Sequence, residues 1–324
     1  MAERVLVTGG AGFVGLHLAR RLIRDGARVT VLDDFSRGRA DACLAGVPGL
    51  EVIRHDLTNP VPPGLVDYGF DEVYHLAAVV GVARTLADPG RVLRTNVSVT
   101  LNLLDLLARN PPGAVFLSST SEVADGAVAV GLAAPPVGEE VPFVLAAPRG
   151  ARSAYALSKA VAESLVLQLA SRCRVRVGRY FNVYGPRMGD SHVIPQFARR
   201  ALAGVDPFTV YGAHQTRAFC HVEDAVEATV ALMRLPAGDP LVVNIGDDTE
   251  EIEIIELARR MLRTAGSRVS LAVADPPPGS PDRRLPDLRL LRALIPSWQP
   301  STSVASGLEQ VLAWYRRYPA RSGT

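Results

Sequence analysis

Tyr155 and Lys159 are four residues apart in the segment YALSK, a spacing that places two side chains on the same face of a helix. An ammonium group near a phenol favours the phenolate and so lowers the pKa of the phenol. A phenolate formed near neutral pH can accept the proton of an alcohol while a hydride leaves the same carbon. The pair therefore predicts a general base for alcohol oxidation, although ordinary surface pairs share this spacing.

A second group of polar side chains follows the apolar run AVFL, where residues 118–123 read SSTSEV. Hydroxyl groups at the end of a buried strand can hold a substrate oxygen, and we predict Thr120, or Ser119, in this role. Hydride transfer does not require the carboxylate of Glu122. Two interpretations of Glu122 therefore stay open: it takes part in a second chemical step, or it ties down the long loop that follows.

Three glycines separate the predicted first strand, RVLV at 4–7, from the helix that follows it. Gly9 lets the backbone turn sharply after the strand. Gly12 removes a side chain where a pyrophosphate approaches the helix N-terminus, and Gly15 lets the helix pack closely on the sheet. This arrangement predicts that the chain binds a dinucleotide.

Asp33 ends the next predicted strand and indicates which dinucleotide is bound. An acidic side chain at this place accepts hydrogen bonds from the adenosine ribose and repels a 2′-phosphate. We therefore predict NAD as the cofactor rather than NADP. Arg37 and Arg39 lie nearby and keep phosphate binding open.

Apolar strand patterns alternate with helical patterns through the first 185 residues. The strands are predicted at 4–7, 28–32, 51–57, 72–78, 114–120 and 175–185, and the longest helices at 92–108 and 151–170. Such alternation predicts an α/β fold with a Rossmann-type, doubly wound parallel sheet. We predict an NAD-binding domain over 1–181, to which 217–246 returns, and a smaller C-terminal α/β substrate domain made of 182–216 and 247–324.

The composition excludes several classes of function. The chain has 324 residues, of which 35 are Lys or Arg and 33 are Asp or Glu, and it contains no block of basic residues. We therefore expect no nucleic-acid partner. The three cysteines are far apart, and neither His192 nor His221 has a neighbour at ligand spacing, so we expect no metal site. No run approaches ~20 apolar residues, and the first strand begins at once, so we expect no membrane span, no signal peptide and a cytoplasmic location.

The motifs TGGAGFVG, HLAA, SSTSEV, YALSK and RYFNVYGPR occur in an order and spacing that resemble the extended short-chain dehydrogenase/reductases. More narrowly, the chain resembles the NAD-dependent nucleotide-sugar epimerases, dehydratases and decarboxylases, from residue 4 to about 317. The resemblance implies NAD, a UDP-sugar or related nucleotide sugar as substrate, and a homodimer that pairs through the helices predicted at 92–108 and 152–170.

The resemblance also implies roles for individual residues. The residues implied to bind the cofactor are Gly9, Gly12, Phe13, Val14, Gly15, Asp33, Asp56, Leu57, Ala77, Asn96, Tyr155, Lys159 and Tyr180. The residues implied in catalysis are Thr120, Glu122, Tyr155 and Lys159. The residues implied to bind the sugar nucleotide are Thr120, Asn182, Arg187, Arg217 and Arg284, with Arg283 as the alternative to Arg284. Read without the resemblance, Asp56 also fits a loop cap, and Asn96 a solvated or back-bonded helix residue.

Members of this family oxidise the sugar at C4, and the residues around the ketone decide the next step. The 4,6-dehydratases have an Asp-Glu pair after the threonine, whereas this chain has Ser121-Glu122, which argues against dehydration. The Thr-Ser-Glu-Val run, GPRM at 185–188, QTRAF at 215–219 and RRxPD at 283–287 resemble the UDP-glucuronate decarboxylases. We therefore predict a decarboxylase of that type. The alternatives are a 4-epimerase of uronic-acid sugars and, further off, a 4,6-dehydratase or a simple NAD-dependent alcohol oxidoreductase.

Two departures from the family pattern lie beside the predicted sugar site. The family continues after the glutamate as Val-Tyr-Gly, whereas this chain reads Val123-Ala124-Asp125. The segment 126–150 is longer and more apolar than the family's usual loop, and its Pro and Gly content predicts a loop. Both changes predict an unusual substrate pocket.

Overall fold

Seven parallel strands form the central sheet of the protein. The computed structural model describes residues 2–37, 42–66, 69–236 and 238–318. The sheet strands are β1 (Arg4–Thr8), β2 (Arg28–Asp33), β3 (Leu50–Arg54), β4 (Glu72–His75), β5 (Ala114–Thr120), β6 (Arg174–Tyr180) and β11 (Leu241–Ile245). Their order across the sheet is β11-β6-β5-β4-β1-β2-β3, with every pairing parallel. The predicted α/β, Rossmann-type sheet is confirmed.

Helices cover both faces of this sheet. The helices are α1 (Phe13–Arg24), α2 (Ala42–Ala45), α3 (Val82–Ala87), α4 (Pro89–Arg109), α5 (Asp125–Ala129), α6 (Ala151–Leu167), α7 (Val193–Leu202), α8 (Val222–Arg234), α9 (Ile254–Ala265), α10 (Arg289–Leu294) and α11 (Val304–Arg317). Helices α1 and α8 pack together on one face, and α4 and α6 pack together on the other. Because β1 and β5 are buried on both faces, their sequences contain continuous apolar runs, whereas the edge strand β3 is largely exposed.

A second core forms beyond the central sheet, around Phe197, Phe208, Leu257 and Leu308. Its short strands are β7 (Val183–Tyr184) with β10 (Cys220–His221), β8 (Phe208–Tyr211) with β13 (Leu271–Ala274), and β9 (Thr216–Ala218) between β12 (Glu251–Glu253) and β14 (Arg283–Arg284). The predicted domain limit at residue 217 falls inside β9. Beyond it, α8 packs on the central sheet and β11 forms an edge strand of that sheet.

The segment 126–150 is not wholly a loop, because α5 begins at Asp125 and extends to Ala129. A methyl group added to Gly126 would overlap the carbonyl oxygen of Val144, so the chain crosses this helix at backbone contact. Farther along, Val137 pairs with Pro286 in an isolated parallel bridge. The segment is thus packed against the residues that follow β14. No helix among the described residues has the length and apolar character needed to span a bilayer.

Candidate active site

A cavity of about 780 Å³ opens at the carboxyl edge of the central sheet. The ends of parallel strands meet at this edge, which is where open α/β sheets bind their ligands. Among the residues that line it are Gly12, Asp33, Thr120, Tyr155 and Lys159. The topology therefore brings the glycine-rich loop and the Tyr-Lys pair, which are far apart in sequence, into one cavity.

The glycine-rich loop has little room for side chains. Gly9 has φ +72°, and a Cβ there would lie 2.7 Å from the amide nitrogen of Ala77. A methyl group on Gly15 would overlap the carbonyl oxygen of Gly9. Gly12 lies just before α1 and lines the cavity with Phe13 and Val14. The loop thus leaves the N-terminus of α1 open to an anionic group such as a dinucleotide pyrophosphate.

Asp33 is buried at the end of β2 and lines the cavity. Its carboxylate accepts hydrogen bonds from the amide nitrogens of Ala11, at 3.0 Å, and Phe35, at 2.8 Å. Burial raises the pKa of Asp33, while these hydrogen bonds act in the opposite direction. Besides the predicted ribose contact, Asp33 therefore holds the glycine-rich loop against the sheet.

Asp56 and Leu57 line the cavity beyond β3. The carboxylate of Asp56 accepts a hydrogen bond from the amide of Thr58 at 2.9 Å, as expected of a residue that caps a loop. The predicted contact of Asp56 with adenine stays a prediction.

Asn96 lies inside α4 but is neither solvated nor bonded back to its own helix. Its side-chain oxygen accepts from the amide of Val79 at 2.7 Å, and its nitrogen donates to the carbonyl of Val79 at 3.1 Å and to the hydroxyl of Ser158 at 3.0 Å. Asn96 thus ties the segment after β4, which includes the cavity-lining Ala77, to α6. It acts behind the cavity wall rather than in it.

Tyr155 and Thr120 both line the cavity, and they lie close enough for the Thr120 side chain to lower the pKa of the phenol. The other hydroxyl considered, that of Ser119, is engaged by the carboxylate of Glu163. Tyr180 also lines the cavity, and its hydroxyl bonds to Thr229 at 2.7 Å. The structure therefore favours Thr120 over Ser119 as the side chain that holds a substrate oxygen.

Lys159 is buried, and its ammonium donates to the carbonyl oxygen of Ser118 at 2.7 Å. Burial lowers the pKa of Lys159 to about 8, against the charge of Glu163, which raises it. The sequence predicts that this ammonium lowers the pKa of Tyr155. In the structure burial raises the pKa of Tyr155 instead, and the charge of Glu122 raises it further, while the hydrogen bond from Thr120 opposes both.

Glu122 faces the cavity together with two arginines. Its carboxylate lies 3.6 Å from Arg152 and 3.9 Å from Arg284. Burial raises the pKa of Glu122, and the guanidinium of Arg284 is the largest opposing influence. Arg284 lines the cavity and pairs with Asp125. Arg283, in contrast, is half-exposed and pairs with Glu251 at 2.7 Å, so the structure places Arg284 rather than Arg283 in the cavity.

Asn182 and Arg187 line the cavity with left-handed backbone angles, φ +42° and +71°. The amide of Asn182 donates to the carbonyl of Ala218 at 2.9 Å. Arg187, predicted to bind substrate, reaches the glycine-rich loop, where its guanidinium donates to the carbonyl of Ala11 at 3.1 Å. Its position is therefore on the cofactor side of the cavity.

Arg217 is not among the described residues that line the cavity. Its guanidinium donates to the carbonyl oxygens of Thr216 at 2.7 Å, Pro281 at 2.6 Å and Asp282 at 3.2 Å. Burial lowers the pKa of Arg217 to about 10. The structure thus directs this side chain into the loop before β14, and the predicted contact with a diphosphate stays a prediction.

Sequence reasoning did not assign Arg152 to the site, considered Arg37 only for phosphate binding, and noted Asp125 only as a departure from the family pattern. Arg152 precedes Tyr155 by three residues in α6, and this i,i+3 spacing is a signal that could have found it. Arg37 donates to the carbonyl of Val80 at 2.8 Å and lines the cavity rather than its adenine edge alone. No local pattern predicts the contact of Asp125 with Arg284, because the two residues are 159 positions apart. Arg39 lies outside the described residues.

The profile of the family described as NAD dependent epimerase/dehydratase matches residues 5–246, about three quarters of the chain. The chain belongs to this family. The predictions of the family, of an enzyme and of NAD as its cofactor are confirmed. The glycine cradle and Asp33 fit that cofactor.

Relatives of the chain include decarboxylases of UDP-linked uronic acids. UDP-glucuronic acid decarboxylase 1 of Xenopus tropicalis is 36% identical, over 97% of this chain and 72% of the relative. UDP-N-acetyl-alpha-D-glucosaminuronate decarboxylase of Bacillus cytotoxicus is 33% identical, over 98% of each chain. A solved structure of MoeE5 in complex with UDP-glucuronic acid and NAD superposes with a TM-score of 0.83 at 28% identity, over 97% of this chain and 99% of that one.

Proposed function

We propose that the protein is an NAD-dependent decarboxylase of a UDP-linked uronic acid, of the UDP-glucuronate type, and that it acts through a transient 4-keto sugar. The observation that carries this proposal is the position of Glu122 between Arg152 and Arg284, beside the phenol of Tyr155. Oxidation and re-reduction at C4 alone do not require the carboxylate of Glu122 or the two arginines beside it. The curated relatives add support, because they are named as decarboxylases of this substrate class.

In the proposed mechanism Thr120 holds the C4 oxygen, and the phenolate form of Tyr155, which Thr120 favours against burial and the charge of Glu122, accepts its proton. NAD, which the glycine-rich loop and Asp33 would hold, would supply the acceptor and donor of the C4 hydride when bound. The ketone at C4 lies β to the carboxylate on C5, so the bond between C5 and the carboxylate carbon breaks to release CO2. Its electron pair moves into an enolate whose charge lies on the C4 oxygen. Water oriented by Glu122 protonates C5, which restores the C4 ketone, and bulk solvent replaces the proton that this water loses. Tyr155 returns its proton to the C4 oxygen when C4 is reduced.

The first experiment is mass spectrometry of the protein incubated with NAD and UDP-glucuronic acid. The expected product is lighter than the substrate by one CO2. Replacing the base, Tyr155→Phe, is expected to lower kcat by about 10²- to 10⁴-fold, and Glu122→Gln is expected to lower decarboxylation. Tyr211→Phe, at an exposed tyrosine, is the matched control. A Tyr155→Phe variant as active as this control would contradict the proposal.

A 4-epimerase that keeps the carboxylate is the second candidate, because the family description includes epimerases. The same incubation separates the two reactions. Epimerisation leaves the mass of the sugar nucleotide unchanged and produces a new chromatographic peak. Glu122 would then have a structural role, through its contacts with Arg152 and Arg284.

We further propose that the protein acts in the cytoplasm as a homodimer. Helices α4 and α6 lie side by side on one face of the sheet, and Leu101 of α4 is 44% exposed. Pairing of these two helices with those of a second copy would cover that face. A monomer mass in light scattering at micromolar concentration would contradict the dimer.

A further inference from the structure

Four charged side chains surround the end of the cavity where Tyr155 and Thr120 meet: Glu122, Asp125, Arg152 and Arg284. Glu122 contacts both arginines at 3.6 and 3.9 Å. Asp125 lies behind Arg284, outside the cavity lining, and forms a hydrogen-bonded ion pair with it. The side chain of Arg284 is only 12% exposed, so solvent screens this pair weakly.

Asp125 belongs to the run Val123-Ala124-Asp125, which departs from the sequence pattern of the family that the chain resembles. It is the first residue of α5, and this placement aims its carboxylate at the strand that carries Arg284. The Nε of Arg284 is buried and has no hydrogen-bond partner within the described part of the chain. The guanidinium of Arg284 donates a hydrogen bond to Asp125. The carboxylate of Glu122 lies 3.9 Å from the same guanidinium, beyond hydrogen-bonding distance.

Within these four side chains, two carboxylates face two guanidinium groups when Glu122 is ionised, and removal of the Asp125 charge would leave one net positive charge. Arg217 lies close enough to interact with Arg284 and Arg152, and the carboxylates of Asp125 and Asp282 both act on it. The charge of Asp125 therefore decides how strongly the sugar end of the cavity attracts a carboxylate.

We propose that Asp125 is a positioning and specificity-determining residue, which neutralises Arg284 so that the substrate carboxylate is held weakly before it leaves as CO2. This inference rests on the proposed decarboxylation. During that step negative charge leaves the carboxylate and moves to the C4 oxygen. An uncompensated arginine beside the carboxylate would stabilise the ground state more than the transition state, which lowers kcat as well as KM.

The test uses the NAD-loaded protein and the variant Asp125→Asn, which keeps the size of the side chain. We expect KM for UDP-glucuronic acid and kcat for CO2 release to fall together, each by about tenfold, or ~1.4 kcal/mol. Asp125→Glu, which retains the charge, is expected to restore the wild-type values. The matched control is Glu251→Gln, which removes the negative charge beside the outward-facing Arg283.

Binding is measured separately by calorimetry in a Tyr155→Phe background, where turnover is blocked. Asp125→Asn is expected to tighten UDP-glucuronic acid about tenfold relative to UDP-glucose, which has no carboxylate. An unchanged ratio, or the same change with Glu251→Gln, would overturn the proposal. Because this measurement needs no turnover, it judges Asp125 even if the wild-type protein releases no CO2, a result that would refute the proposed function instead.

Discussion

His75 provides a quantitative test of the structure, because it is a buried histidine in the sheet beside the active site. It lies at the end of β4 and is 2% exposed. Its Nδ1 pairs with the hydroxyl of Thr8 at 2.8 Å and its Nε2 with that of Thr100 at 3.2 Å. The hydroxyl of Thr100 donates to the carbonyl of Asn96 at 3.0 Å, so it accepts from Nε2. A neutral imidazole satisfies both neighbours.

Burial lowers the pKa of His75 from 6.5 to about 3, and the nearby ammonium of Lys159 lowers it further. The unfolded chain therefore takes up a proton below about pH 6.5, whereas the folded protein does not until about pH 3. Stability that is present above pH 6.5 is lost as the pH falls. At pH 5 linkage gives a loss of about 2 kcal/mol from this residue. The figure changes little for any folded pKa below about 4, because the folded imidazole is then neutral at pH 5.

The assay compares the free energy of unfolding at about pH 7.5 and pH 5, from urea titrations of wild type and His75→Asn. The variant removes the titrating group, so its loss between the two pH values is expected to be about 2 kcal/mol smaller than the wild-type loss. His55→Asn, at a histidine whose Nε2 bonds to the carbonyl of Asn59 on the surface, is the matched control. Equal losses in wild type and His75→Asn would refute the argument, since His75 would then accept a proton in the folded state.

Two further predictions concern α6, which contains Lys159 and Glu163, and the segment after Glu122. The charge of Glu163 raises the pKa of Lys159, so Glu163→Gln is expected to lower that pKa. If activity needs the Lys159 ammonium, the alkaline limb of the pH–activity profile then moves to lower pH. A fall in kcat/KM with no shift of the pH profile would assign Glu163 a structural role only. Gly126→Ala is expected to destabilise the protein by about 1–3 kcal/mol, because the added methyl group would overlap the carbonyl oxygen of Val144. Gly138→Ala is the control, because its methyl group enters open space and is expected to have little effect on the melting temperature.

Local patterns account for the features of the protein that the sequence predicted well. Strands β1 and β5 contain short apolar runs, and the glycine-rich turn depends on three residues within seven. The Tyr155–Lys159 spacing likewise depends only on the helical repeat. Such signals lie within a few residues of one another. The sequence is therefore sufficient to predict the fold class, the glycine-rich loop and the pairing of Tyr155 with Lys159 without knowledge of any long-range contact.

The direction of long polar side chains was not predictable in the same way. Arg217 and Arg284 both occur in family-like motifs, yet Arg284 enters the cavity and Arg217 donates to the carbonyls of Pro281 and Asp282. A position inside a helix, taken alone, predicts that Asn96 is solvated or bonded back to its own helix. In the structure Asn96 is buried, and the segment after β4 supplies hydrogen-bond partners for its side chain. In each case the partner comes from a distant part of the chain.

The sequence by itself determined the sheet, the glycine-rich loop and the shared helix face of Tyr155 and Lys159, because these depend on periodicity and on backbone freedom over short spans. Only the tertiary structure decided the charge and contacts of the sugar end. There α5 brings Asp125 to Arg284, and burial rather than Lys159 sets the direction of the Tyr155 pKa. Hydrogen bonding and desolvation depend on every group within a few ångströms, and folding assembles those groups from segments more than a hundred residues apart.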